Sequence, residues 1–460
     1  MGHSICQVRS TSVSLIASPG CAPRPTAHGL AAAVTFAVTA LCSSAAAAGP
    51  IQTVFVIAME NENFIQPGNP TPAGGNQQIF NNPNAPWLNA LIQGNVPGIS
   101  NQTAYASNYS AVPPNAAGTV HPSEPNYIWQ DAGTNFGVRN DNTPFQSPGG
   151  TNQNTTKHLS GLLQQAGKTW KSYQEDIDLV PNSGGPTSIN RSGYVPTNTV
   201  APQSQWTVPL VNFSGTNSAY TNPYNGSHQF DYGAKHNPQV FFTDTNGGNN
   251  NASSNPLSQK YAPLQQLQTD LNNNTVADYN WITPDQFNDM HTALAGTYKG
   301  LTNSGDKRIK QGDDFLSQIV PVIMASQAYQ NDGAIVLWWD ETEPAGGIPG
   351  ENSDDSSHKL TEIIISPDAH ANVNCAVKCV PYTNLIKYTH SSDLRTMQEI
   401  FDLPWLGDMS GLWLADAANA TDLSDLFAPG VIPDGVPEPA TLWMLGLALG
   451  GLAVTRRRRA

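Results

Sequence analysis

Four short apolar runs in this chain share a feature that constrains its fold: each runs directly into an acidic residue. Val54 to Ala58 leads into Met59-Glu60-Asn61, Val240 to Thr243 into Asp244, Tyr279 to Thr283 through Pro284 into Asp285, and Ile335 to Trp339 into Asp340-Glu341. A fifth run, Ile363 to Ser366, has the same β-branched character. Their shortness and their valine, isoleucine and aromatic content predict strands. Between them lies a helical pattern, Asp313 to Tyr329, with apolar residues at 315, 316, 319, 320, 323 and 324, Gly312-Asp313 as a start signal and Pro321 as a kink. Strand, helix, strand order predicts crossover connections and an α/β fold, a mostly parallel central sheet flanked by helices on both faces. In such sheets ligands bind in the crevice outside the carboxyl ends of the strands, where these acids gather. Carboxylates converging on one rim repel each other unless a cation or bound protons neutralise them, so the pattern predicts a hard-metal site.

Charge narrows the partners. Of 21 basic residues, two lie in the first 48 positions and four at the C-terminal end, so the 15 in residues 49–439 face all 35 acids and the body carries −20. Such a surface repels phosphate backbones and argues against nucleic-acid binding. Asn, Gly, Ser and Pro dominate 66–86, 139–156, 181–205 and 244–257, which read as long polar surface loops. No internal run reaches the ~18 apolar residues of a membrane-spanning helix.

The ends read as processing signals. Residues 1–48 combine two arginines, no acid, an apolar stretch around Leu30 to Leu41 and Ala46-Ala47-Ala48, the order of a secretory signal peptide. The catalytic body is then expected over 49–430, outside the cytoplasm. Residues 431–460 hold Val436-Pro437-Glu438-Pro439-Ala440, an apolar segment from Leu442 to Val454 and Arg456 to Arg459. This resembles the PEP-CTERM sorting signal, which implies an exosortase-type processing enzyme as partner and transient membrane association through the apolar segment. Outside the leader only Cys375 and Cys379 remain, read as a structural clip able to close a disulfide in an oxidising compartment.

Three motifs add chemistry. Asp289-Met290-His291 follows the third strand, and His390-Ser391-Ser392-Asp393 opens a helix expected to end near Phe401; imidazole with carboxylate is a ligand mix for zinc, iron or manganese. His121-Pro122-Ser123-Glu124-Pro125-Asn126-Tyr127 sets one hydroxyl between two prolines, with an amide three residues on. A serine beside a metal can become a nucleophile near neutral pH.

With MENENF (Met59 to Phe64), HPSEPNY (His121 to Tyr127), KSYQED (Lys171 to Asp176), KHNPQVFF (Lys235 to Phe242), ITPDQFNDMH (Ile282 to His291), GDDFLSQIVPVIMAS (Gly312 to Ser326), IVLWWDETE (Ile335 to Glu343), IIISP (Ile363 to Pro367) and THSSDLRTMQEIFDLPWLG (Thr389 to Gly407) in that order, the chain resembles the phosphoesterase family. That family includes secreted acid phosphatases and bacterial phospholipases C and is a branch of the alkaline phosphatase superfamily. The resemblance implies an alkaline phosphatase-like fold and an exported hydrolase of phosphate esters using one or two divalent metal ions. It implies Ser123 as nucleophile and Asn126 as a contact to phosphoryl oxygens, with Lys235 or His236 holding the equatorial charge. Glu60, Asn61, Asp340 and Glu341 would form a metal site shared with Ser123, and Asp289, His291 and His390 a second metal position. Asp285 stands where the family often has Asn, and Glu341 where superfamily members with two zinc ions often place His. The expected reaction is phosphomonoester hydrolysis through a phosphoserine; the alternatives are a phospholipase C-type phosphodiesterase and a non-enzymatic surface or matrix protein.

Overall fold

The computed structural model describes residues 51–66, 78–111, 121–179, 197–343, 358–370, 380–406 and 420–433. The segment expected to be a signal peptide, the sorting segment beyond 433 and the Cys375 and Cys379 pair lie outside the described residues. Among those described, ten strands form: β1 (Thr53–Met59), β2 (Thr103–Tyr109), β3 (Trp170–Gln174), β4 (Phe213–Thr216), β5 (Gln229–Tyr232), β6 (Tyr261–Pro263), β7 (Tyr279–Thr283), β8 (Gly333–Trp339), β9 (Leu360–Ile365) and β10 (Tyr382–Asn384). Eight helices accompany them: α1 (Pro86–Ile92), α2 (Glu124–Ala132), α3 (Leu159–Gln165), α4 (Thr243–Asn246), α5 (Gln266–Asn273), α6 (Ser304–Met324), α7 (Gln327–Gln330) and α8 (His390–Ile400).

Eight strands make one sheet in the order β10-β2-β9-β8-β1-β7-β3-β6, while β4 and β5 form a separate ribbon. β1, the first strand among the described residues, is central. β1 pairs in parallel with β7 (Val56 opposite Trp281) and with β8 (Val56 opposite Val336), so Met59, Thr283 and Trp339 finish on one rim. Every residue of β7, β8 and β9 is buried, which requires cover on both faces of the sheet. The helices sort accordingly into two packed sets, α2 with α3, α4 and α8, and α1 with α5, α6 and α7.

Three expectations are corrected. β9 runs antiparallel to both β8 and β2, so this connection is not a crossover unit. Val240 to Thr243 is not a strand: after Pro238 the chain makes a tight turn at Pro238–Phe241 and then α4. Local side chains win there, because Asn246 Nδ2 donates to the Val240 carbonyl and Thr245 Oγ1 to that of Gln239 at 2.6 Å each, giving the backbone an alternative to a ladder. The long helix begins at Ser304 rather than Asp313, because the Asn303 side chain caps it, accepting from Gly305 and Asp306 N–H at 3.0 and 3.3 Å. It ends at Met324, and α7 is a separate turn. Gly312 is therefore interior, and its role is close approach: a side chain there would collide with Met290 and Met59, beneath the rim. α8 begins at His390 as expected, fixed by a reciprocal cap in which Thr389 N–H donates to Ser392 Oγ at 3.0 Å.

Candidate active site

Glu60 follows β1, Asp340 and Glu341 follow β8, and Ser123 precedes the first turn of α2, where the hydroxyl could serve as a helix cap. It does not. Ser123 Oγ turns to the rim, donating to Glu60 Oε2 at 2.9 Å with Glu341 Oε1 at 3.5 Å. Asn126 Nδ2, one helical turn on, donates to Glu341 Oε2 at 2.9 Å. Asn61 adopts a positive φ of 51°, which brings its N–H to Asp340 Oδ1 at 3.1 Å. Thus Glu60, Asn61, Ser123, Asn126, Asp340 and Glu341, drawn from three elements, meet at one place.

The second expected group is divided. Asp289 Oδ2 lies 3.2 Å from His236 Nδ1, and His236 Nε2 lies 3.1 Å from Glu60 Oε1, so His236 stands between the two acids. His291 Nε2 faces Lys235 Nζ at 3.1 Å, and Lys235 is also 3.1 Å from Asp141 Oδ2. His390 is not brought to this cluster: its Nε2 lies 2.6 Å from the Asp340 main-chain carbonyl, behind the rim. Its place as the imidazole among the acids is taken by His236. Asp285 also stands apart, grouped with Glu175 and Asp176 beyond β3, where Glu175 accepts from Asp285 N–H at 2.8 Å. Asp244 is elsewhere, 2.9 Å from His158 Nε2.

Two neighbours of the cluster escaped the sequence reading. His121 Nδ1 is 3.0 Å from Glu341 Oε1, although the residue was visible in the HPSEPNY motif. Asp141, which holds Lys235, sits in a loop with no pattern to mark it. Trp338 and Trp339 are core residues; Trp338 meets Tyr127 edge-on at 5.1 Å, and Tyr127 stacks on His236 at 5.0 Å.

Burial governs the electrostatics. It pushes Glu60 up to about 7 against the opposing charge of Lys235 and hydrogen bonds from Tyr127 and Ser123. It pushes Asp289, Asp340 and Glu341 well above the carboxylate range, and each also feels Glu60. Burial holds His236 and His291 well below the ordinary imidazole value, with Lys235 adding to the effect. For Lys235 itself burial pulls down, but Asp141, Glu60 and Glu341 outweigh it and keep the ammonium charged. Around this concentration of acids several buried atoms have no hydrogen-bond partner: Glu60 Oε1, Asn61 Oδ1, Asp289 Oδ2, Asp340 Oδ2 and both nitrogens of His236. Both nitrogens of His236 lie close to carboxylates without a hydrogen bond to either. Buried unpaired acceptors around an acid cluster are what a cation would satisfy. Glu60, His236 and His291 each offer an atom within 4.8 Å of the others, as do His121, Glu341 and Glu343.

The phosphoesterase family profile matches residues 93–404, and a PEP-CTERM protein-sorting motif matches 435–459. A phosphatidylinositol-3-phosphatase of Mycobacterium tuberculosis is 24% identical over 349 residues, 76% of this chain and 78% of that protein. A probable acid phosphatase of Kluyveromyces lactis is 22% identical over 312 residues, 67% of this chain and 55% of that one. A protein in the alkaline phosphatase superfamily from Vibrio parahaemolyticus superposes with a TM-score of 0.38 at 10% identity, covering 77% of this chain and 67% of the other. The profile begins after β1, so the acid that Ser123 touches enters the site from outside the matched span. With most of its length under that profile and a sorting motif of cell-envelope proteins at its end, the chain belongs to the phosphoesterase family and is a hydrolase of phosphoric esters.

Proposed function

We propose that the protein is a metal-dependent phosphomonoesterase, exported through an N-terminal signal peptide, that works through a phosphoserine on Ser123. The observation that carries this reading is the Ser123 hydroxyl, which already donates to Glu60 at 2.9 Å amid unpartnered carboxylate and amide oxygens. Glu60, Asn61, Asp340 and Glu341 would hold one divalent cation, with His236 and Asp289 at hand for another. When bound, such an ion neutralises the acids, favours the serine alkoxide and polarises a phosphoryl oxygen.

The chain's own residues supply the rest. Glu60 offers the Ser123 proton an acceptor along the existing hydrogen bond. Ser123 Oγ attacks phosphorus; its new bond forms as the bond to the leaving oxygen breaks, and water then hydrolyses the phosphoserine to free serine and phosphate. The N-terminus of α2 and the ammonium of Lys235 favour the negative charge that gathers on the phosphoryl oxygens. Asn126 orients Glu341, and Asp141 holds Lys235 in place.

Monoesters are preferred over diesters in this reading because the relatives it resembles are named as phosphatases, one acting on the 3-phosphate of a phosphoinositide. The test is a panel of an aryl phosphate, a phosphoinositide 3-phosphate and phosphatidylcholine, run before and after chelation. Release of inorganic phosphate from the first two, lost with chelator and restored by metal, is expected; release of phosphocholine alone would replace the reading with a phospholipase C activity.

A further inference from the structure

His390 is fully buried, and both ring nitrogens are engaged. Nε2 lies 2.6 Å from the main-chain carbonyl of Asp340, while Nδ1 lies 3.0 Å from the indole nitrogen of Trp338 and 2.9 Å from the Tyr109 hydroxyl. An indole N–H only donates, and a carbonyl oxygen only accepts. The two neighbours therefore demand one tautomer, with the lone pair on Nδ1 and the hydrogen on Nε2; a second hydrogen would set N–H against N–H. Burial acts in the same direction, holding the imidazole down at about 3.

Behind the ring, Glu362 stands opposite Trp338 in the β8–β9 ladder, beside Tyr109 and beside Asp393 of α8. Burial raises both carboxyls, Asp393 to about 6 and Glu362 well above its ordinary value. Tyr109 is thus held between a carboxyl pair and the imidazole. Asp340, in turn, is pinned at three points: its N–H donates to the Met59 carbonyl at 3.2 Å, its carbonyl faces His390, and its Oδ1 accepts from Asn61 N–H. Its Oδ2 alone is left unpartnered.

We propose that His390 is a positioning residue, which grips the Asp340 carbonyl and so fixes the direction of that last carboxylate oxygen. This inference rests on the phosphoesterase site proposed above, and it differs from the metal-ligand role that the HSSD motif implies. Groups behind a ligand commonly set its orientation, and losing one costs about 10- to 100-fold in activity or metal affinity.

The test is ¹⁵N-histidine NMR of the full chain, with His390 assigned by comparison with His390→Gln and followed while zinc chloride is added. His390 is expected to keep the Nε2–H tautomer pattern throughout, while His236 responds to the metal. Movement of the His390 nitrogens to a metal-bound pattern, or an Nδ1–H tautomer, would overturn the proposal. In aryl phosphate hydrolysis at saturating zinc, His390→Ala should lower kcat about 10- to 100-fold with KM changed less than about threefold. His390→Gln, whose amide can still donate to the carbonyl, should recover most of that loss; equal loss in both variants counts against the proposal. Wild-type protein inactive on every phosphate ester sinks the phosphoesterase reading instead, and the tautomer and its zinc response then decide the role of His390 by themselves.

Discussion

Ser123 is the residue on which the proposed chemistry turns, because it is the hydroxyl that reaches Glu60 and Glu341 together. Ser123→Ala should reduce aryl phosphate turnover by about a thousandfold or more, since a missing nucleophile is not replaced by its neighbours. Its unfolding free energy should shift by no more than about 3 kcal/mol, the upper end for losing one hydrogen bond to a buried carboxylate. Steady-state kinetics beside thermal unfolding checks both, and near-normal turnover would remove Ser123 from the role. Legibility at this scale followed sequence neighbourhood. Glu60, Asp340 and Glu341 could be placed because each directly follows a strand, and strand ends have a known side. His390 could not be, because a ring at a helix start can face the rim or the sheet, and only the positions of Trp338 and Tyr109 decide which. Asp141 had no local pattern at all; it is defined by Lys235, 94 positions away.

Among the elements, α2, α3 and α4 are tied together by His158, a fully buried ring between Asp131 Oδ2 and Asp244 Oδ1 at 2.9 Å each, stacked on Phe242 at 3.8 Å. Burial opposes its charge, but hydrogen bonds to the two acids outweigh burial and push it up to about 9. Because the folded value lies above the ordinary one near 6.5, the contribution is fully present below that pH and is lost as pH rises through about 9. Its size is roughly 3 kcal/mol from that shift. The difference in unfolding free energy between the protein and His158→Gln should therefore shrink from pH 6.5 to 9, measured by denaturant titration; a difference independent of pH would show that the ring is neutral. This clamp also explains the failed strand expectation. Val240 to Thr243 has strand composition, but Pro238, Thr245 and Asn246 turn the chain, and Asp244 then reaches His158 instead of the rim. The runs read correctly at β1, β7 and β8 keep their backbone ladder even though Asn280 donates to the Val54 and Ala277 carbonyls, because each strand is paired along its length with a neighbour in the sheet. The orientation of β9 was out of reach, since its composition is the same whichever way it runs.

Across the whole molecule, the rim is a concentration of buried acids that a cation would relieve, and binding to the folded state alone must raise stability. At zinc or manganese a hundredfold above the dissociation constant the gain should be about 2.7 kcal/mol, reversed by chelator. Differential scanning calorimetry measures it, and an unfolding temperature indifferent to every divalent ion would take the metal out of the proposal. The α/β class was legible because strand and helix periods differ so plainly; the sheet order was not, because it depends on which strands meet after long separations. β1 shows what that separation means for a growing chain. The earliest of the described strands lies inside the finished sheet, and the two partners that flank it begin at residues 279 and 333. For most of synthesis Val54 to Ala58 is an apolar segment with both edges bare, open to pairing with another chain. A fragment ending before β8 leaves one edge of β1 without its partner, so truncation there should raise aggregation, which light scattering would measure.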